Sequence, residues 1–223
     1  GNTIQPGEEW SFNTVVGPRT YELGWKGANG ISGGKEYTIQ AGGGICQVST
    51  TLYNALLCAN MEIVDRRAHT IPSDYVPVGL DATVDTRGID FVWKNNTDMP
   101  AYIFAKVEKV EGSSSRHTIT VYVYGKPLPE GVTYQSRNEI IEERSRQDEA
   151  IYTNDASIPT GYQLERVQGH KYYVAEAYQD KYVDGKLAES KLLYTDKYKG
   201  NPPEVSIGTG APLASGQTPD PAW

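Results

Sequence analysis

Cys46 follows Gly42-Gly43-Gly44-Ile45 and precedes Gln47-Val48-Ser49-Thr50-Thr51-Leu52-Tyr53-Asn54, so a glycine run feeds a thiol into the start of a helical pattern. A cysteine there faces free backbone N–H groups and the positive end of the helix dipole, which favour thiolate over thiol. Gly43 and Gly44 have no side chain, so a substrate can approach the backbone closely. A nucleophilic thiolate also needs a base within hydrogen-bond reach, a group to orient that base, and N–H donors for the developing oxyanion.

The chain has three histidines. His69 lies 23 residues after Cys46, in Arg66-Arg67-Ala68-His69, on the segment that leaves the helix and returns as a strand, and is the expected base. His170, between Gly169 and Lys171, reads as a surface turn residue, and His117 as a solvent-edge residue. Asp81, in Gly79-Leu80-Asp81-Ala82-Thr83, is the expected orienting carboxylate, ahead of Asp74 and Asp85. The Cys46 N–H and the Gln47 side chain are the expected oxyanion donors. Arg66 and Arg67 are expected to grip a substrate carboxylate, because guanidinium forks match carboxylates bidentately. Gly43, Gly44, Gln47, Arg66 and Tyr75 form the expected substrate-binding set. Cys58, in Ala55-Leu56-Leu57-Cys58-Ala59, reads as a buried core thiol, and the two cysteines are expected to be free.

Several elements must position these groups. Ile45, Val48, Leu52 and Leu56 recur at helical spacing, with Asn60 as the stop. Ahead of them, Gly24 to Gly44 carries eight glycines and reads as a functional loop. Short extended runs follow at Ile63-Val64, Tyr75–Val78 and Ile89–Trp93. Tyr102–Val110 and His117–Tyr124 read as a hairpin, and Asn95-Asn96-Thr97-Asp98 as a turn. The fold class expected is α+β: a Cys-bearing helix on a mainly antiparallel sheet, then a small elongated all-β domain. Its divisions are 1–135, 136–208 and a flexible tail 209–223. The second part holds eight tyrosines from Tyr152 to Tyr198 and a hairpin signal at Asp184-Gly185, a thin sheet with few aliphatics.

A net charge of −7 argues against an electrostatic grip on nucleic acid or anionic lipid. No apolar run approaches a membrane span, and the polar start Gly1-Asn2-Thr3 is no export signal, so any signal or anchor is expected upstream. Gly34-Lys35 lacks the glycine spacing and the following Ser or Thr of a phosphate loop. No paired Cys and His spacing suggests zinc, and no cofactor is expected.

The run Gln5-Pro6-Gly7-Glu8-Glu9-Trp10-Ser11-Phe12-Asn13, with Gly42–Asn54, Arg66–His69 and Tyr75–Val84, strongly resembles the VanW family of bacterial cell-envelope proteins over about residues 1–125. The second half, with Gly161, Gly169, Gly185, Gly200 and Gly208 among short strands, resembles the five-glycine domain of peptidoglycan-associated surface proteins. The resemblance implies an extracytoplasmic protein at the cell wall or surface, membrane-anchored through a segment outside this chain. Its implied partners are peptidoglycan stem peptides, with glycan contact through the second domain. Some VanW domains resemble L,D-transpeptidases in role, which implies 3→3 cross-linking through an acyl-cysteine, with Cys46 as nucleophile and His69 as base. The Ser-His-Gly-Cys pattern of the better-known L,D-transpeptidases is absent: Gly43-Gly44-Ile45 precedes the cysteine. The order Cys, His, carboxylate is closer to papain-like enzymes, at the level of analogy. Alternatives are a non-catalytic wall-binding module, or a cysteine carboxypeptidase or endopeptidase acting on stem peptides.

Overall fold

The computed structural model describes residues 3–222 apart from 33, 35, 114 and 115. The fold is mostly β. Among the described residues its first half holds eight strands: β1 (Thr3–Ile4), β2 (Glu9–Ser11), β3 (Gly27–Ser32), β4 (Glu36–Ala41), β5 (Glu62–Asp65), β6 (Val92–Lys94), β7 (Ala101–Lys109) and β8 (His117–Tyr124). It also holds the helices α1 (Phe12–Val16) and α2 (Ile45–Cys58). Two antiparallel sheets, β1-β7-β8 and β2-β6-β5, stand beside the separate hairpin β3-β4.

The glycine-rich segment expected as a loop is largely that hairpin. Glu36-Tyr37-Thr38-Ile39-Gln40 supplies a β-favouring strand, and the glycine strand pairs with it because the partner's side chains need the room. A Cβ on Gly30 would fall 1.8 Å from the Gln40 amide nitrogen. Tyr75–Val78 is likewise not a strand but part of an irregular segment running from residue 66 to 91.

Gly44, at φ 83°, starts α2, and Asn60, left-handed at φ 55°, ends it as expected, one residue past the cap Ala59. Leu52, Tyr53, Leu56 and Leu57 bury one face of α2 with Phe12, Phe91, Trp93 and Ala101 in the main core. The helix does not lie on one sheet. It sits beside β5 and β8 and beside Val132–Arg144 of the second half, strands of three different sheets.

The second half contains β9 (Val132–Arg144), β10 (Ile151–Pro159), β11 (Gln163–Val167), β12 (Tyr172–Val183), β13 (Lys186–Tyr198) and β14 (Glu204–Gly210). Its first sheet is the antiparallel β13-β12-β9, and its second is β10-β14-β11, in which β10 and β14 run parallel. β12 and β13 turn at Asp184-Gly185, both left-handed, as the sequence signal requires. Few side chains are buried here: Ile158, Val167, Val174, Ala175, Ala177 and Tyr198 are the apolar ones.

The halves meet closely. Gln179 of β12 donates to the Leu57 carbonyl at 2.7 Å, tying the end of α2 to the second half. Gly79, at φ 91°, lies against β12, where an added Cβ would meet Ala175 Cβ at 3.5 Å.

Candidate active site

The first turn of α2 presents Cys46 on its second residue, half-buried. Gly43 holds that turn against β3: a Cβ there would overlap the Ala28 carbonyl oxygen at 1.9 Å, so only glycine fits. The Gly44 N–H donates to Asn29 O at 3.0 Å, pinning the helix start to the hairpin. The Cys46 N–H has no protein acceptor among the described residues and remains available to a ligand. Gln47 is exposed beside it.

Polar residues on α2 then draw residues 80–84 alongside the helix. Ser49 Oγ donates to Ala82 O at 2.6 Å, Thr50 Oγ1 accepts from Ala82 N at 2.9 Å, and Asn54 Nδ2 donates to Leu80 O at 2.9 Å. Thr83 N donates to Arg67 O at 2.8 Å on the other side. The segment is thereby fixed between the helix and residues 66–69, and Asp81 comes to rest beside His69. The Cys46 thiol donates to Val84 O at 3.3 Å.

Asp81 Oδ2 accepts from the His69 backbone N–H at 2.7 Å and lies 2.5 Å from His69 Nδ1. Nδ1 is thus committed to the carboxylate, which leaves Nε2 as the ring nitrogen directed away from Asp81. Burial alone would push the His69 pKa down, but the hydrogen bond and charge of Asp81, with the influence of Cys46, carry it up to about 9. Asp81 is almost fully buried. Desolvation would raise its pKa, yet the His69 bond and charge, Arg66 and the Tyr198 hydroxyl hold it below the ordinary range. Tyr75 stands edge-on to His69, ring centroids 6.4 Å apart. Its hydroxyl is buried near Thr50 and Ser73 without a hydrogen bond of normal geometry, and burial together with the nearby Cys46 raises its pKa.

Cys46, His69, Asp81 and Tyr75 therefore converge at the start of α2. Arg66 does not join them as a substrate clamp. Its side chain is fully buried, donating to Asp81 O at 2.5 Å, Gly79 O at 3.0 Å, Asp81 Oδ1 at 3.1 Å and Asp196 Oδ2. Tyr53 and Tyr194 sandwich its guanidinium, at 5.5 and 5.0 Å from the ring centroids. With its donors taken internally, it is a structural cation. Arg67 beside it is exposed. Asp74 is also exposed, and Asp85 accepts from Arg87 N and Ile89 N within its own turn, so neither replaces Asp81. His170 pairs with Asn201 across an isolated bridge, Nδ1 to Oδ1 at 3.0 Å, rather than sitting on a surface turn. Cys58 is exposed, not core: it follows Leu56 and Leu57 off the buried stripe, although partial cover of the thiol raises its pKa.

Two participants carry no signal in the sequence. Tyr198 donates to Asp81 Oδ1 and accepts from Gly79 N at 2.6 Å, and Asp196 pairs with Arg66. Both belong to β13, more than a hundred residues from Asp81, and Tyr198 reads as one more tyrosine of a thin sheet.

Residues 1–120 match the VanW like protein family. The chain belongs to the VanW family. This VanW chain is 48% identical over 105 residues to the uncharacterized protein YoaR of Bacillus subtilis, covering 47% of itself and 34% of that relative. It is 27% identical over 206 residues to the vancomycin B-type resistance protein VanW of Enterococcus faecalis, covering 89% of itself and 64% of that protein. It thus spans about a third of one relative and under two thirds of the other. Among solved structures it is similar to the IgA1 protease G5 domain, at 16% identity, 37% of this chain, 96% of that one and a TM-score of 0.24. HP0197-G5 is similar at 24% identity over 34% of this chain and 97% of its own, with a TM-score of 0.19. No described helix is long and apolar enough to cross a membrane.

Proposed function

We propose that this protein is a cysteine-dependent acyltransferase of the cell wall, an L,D-transpeptidase that forms 3→3 cross-links between peptidoglycan stem peptides. The observation that carries the reading is the buried His69–Asp81 pair, whose imidazole is influenced by Cys46 at the start of α2. Membership of a family that includes a vancomycin resistance protein supports a role on peptidoglycan, outside the cytoplasm. The second half, similar to the five-glycine domains, is read as the contact with wall glycan.

In this reading His69 Nε2 takes the Cys46 proton, and the thiolate sulfur bonds to the carbonyl carbon of the donor stem residue. The Cys46 N–H faces the oxyanion. Collapse of the tetrahedral species breaks the amide bond, and the His69 imidazolium returns its proton to the departing terminal D-Ala amine. An amine of a second stem then attacks the thioester, giving up its proton through His69, and the sulfur leaves as thiolate. Asp81 holds the imidazole in the required tautomer and balances its charge. Water in place of the amine would make the enzyme a carboxypeptidase or endopeptidase.

The test is purified protein with disaccharide tetrapeptides, resolved by mass spectrometry. Cross-linked dimer and free D-Ala are expected with the wild-type chain and neither with Cys46→Ala. Equal products from both proteins would refute the assignment.

A further inference from the structure

The family match ends at residue 120, yet the shell around Asp81 is closed by residues 196 and 198. Asp81 Oδ2 is directed at His69, while Oδ1 receives the Tyr198 hydroxyl and Arg66 Nη2. Tyr198 is fully buried and fixed from the other side by Gly79 N, so its hydroxyl has one direction available. Arg66 is shared between two carboxylates, Asp81 in the first half and Asp196 in the second. Tyr194, two residues before Asp196, covers the guanidinium face. One strand of the second half thus supplies one donor to Oδ1 directly and, through Asp196, holds the other.

We infer that Tyr198 and, through Arg66, Asp196 are positioning residues for the Cys46–His69 pair, so the second half is a working part of the site rather than only an appended wall contact. The inference rests on the acyl-transfer reading for its catalytic consequence but not for its chemical one. Without the Tyr198 hydroxyl, Asp81 loses one of the two donors that hold Oδ1, and Gly79 N–H loses its acceptor. The carboxylate can then turn away from Nδ1, and His69 with it from the thiol. A merely structural tyrosine would change melting temperature and leave the ionisation of the thiol–imidazole pair alone.

The experiment uses the full chain carrying Cys58→Ser, so that iodoacetamide reports Cys46. The pH dependence of alkylation is compared with and without Tyr198→Phe, folding being checked by circular dichroism. A midpoint displaced by about half a unit or more is expected, because a hydrogen bond and a charge partner of the pair are both disturbed. Turnover on tetrapeptides should fall at least about tenfold with KM within about twofold, short of the ~100-fold loss that a 1 Å misplacement causes. Should Tyr198→Phe fail to fold, the isosteric Asp196→Asn, which disturbs only the Arg66 pairing, decides by the same midpoint. An unchanged midpoint in a folded variant overturns the inference. A displaced midpoint in the Tyr198→Phe variant, when the wild-type chain neither cross-links nor cleaves stem peptides, upholds the positioning and refutes the acyl-transfer reading instead.

Discussion

The two halves solve the problem of holding a chain in place by different means. The first buries Phe12, Leu52, Tyr53, Leu56, Leu57, Phe91 and Trp93 around one helix and leaves residues 66–91 without a strand, tied down by side-chain hydrogen bonds. The second relies on long ladders: β12 pairs along its length with both β9 and β13, and many outward side chains stay exposed. A ladder fixes a backbone but offers little enclosed space. The site lies instead where irregular chain is clamped between a packed helix and the edge of a ladder. That junction buries Arg66, His69 and Asp81 together.

Breaking the junction should have the largest effect. Asp81→Ala leaves Arg66 and the His69 side chain buried opposite a vanished carboxylate, and breaking a buried ion pair on one side costs about 3–5 kcal/mol. Urea unfolding followed by circular dichroism is the measurement. A loss under about 1 kcal/mol would mean that water replaces the carboxylate readily and that the junction is looser than its burial implies.

Within the halves, two leucines make a matched pair. Leu56 is fully buried in the first half, and Leu187 in β13 is 56% exposed. Leu56→Ala should cost about 2–5 kcal/mol and Leu187→Ala no more than about 0.5 kcal/mol in the same assay. Equal losses would erase the distinction between a half held by its core and a half held by its ladders.

The pH dependence of stability sharpens the comparison, since His69 is the buried histidine of the junction. Its pKa is raised from 6.5 to about 9 in the folded protein, so the imidazolium stabilises the fold fully below the unfolded value. That contribution, ~3 kcal/mol at full size, disappears as pH rises from about 6.5 through about 9. The melting temperature should therefore fall over that window, and His69→Gln should flatten the fall. Asp81 works in the opposite sense: its lowered pKa gives stability above the ordinary carboxylate value that is lost as pH falls through the folded one. A melting temperature indifferent to pH between 6.5 and 9.5 would count against the charged pair.

How far the sequence discloses these arrangements follows the same division. The β12-β13 hairpin is legible because Asp184-Gly185 has one favoured geometry, and α2 because its apolar spacing and Asn60 agree. Cys46, His69 and Asp81 are each recognisable by residue type, but Arg66 reads as a substrate grip because its two carboxylate partners meet only in the folded chain. Ser49 and Thr50 look like the polar face of a helix, yet they are buried and carry residues 80–84. Residues 24–44 read as a loop because glycine lowers strand propensity, and the pairing of residues 27–32 with 36–41 overrides it. Tyr198 had nothing to distinguish it from the other tyrosines around it, because its role depends on a contact across more than a hundred residues.

The smallest expected effect concerns the two thiols, one in the junction and one just outside it. Cys58 is exposed at the end of α2, with partial cover that raises its pKa, and no cation stands among the influences on it. Cys58→Ser should therefore shift stability by no more than about 0.5 kcal/mol. Its reactivity should separate more sharply than its energy. His69, its pKa raised to about 9 with Cys46 among the causes, is protonated near pH 6.5, whereas Cys58 has only a hydrogen bond from the backbone of Ser136 to offset its burial. Sub-stoichiometric iodoacetamide followed by peptide mapping should place the label on Cys46 first, and His69→Gln should remove that preference. Preferential labelling of Cys58 at that pH would show that exposure, not the charged pair, governs thiol reactivity in this chain.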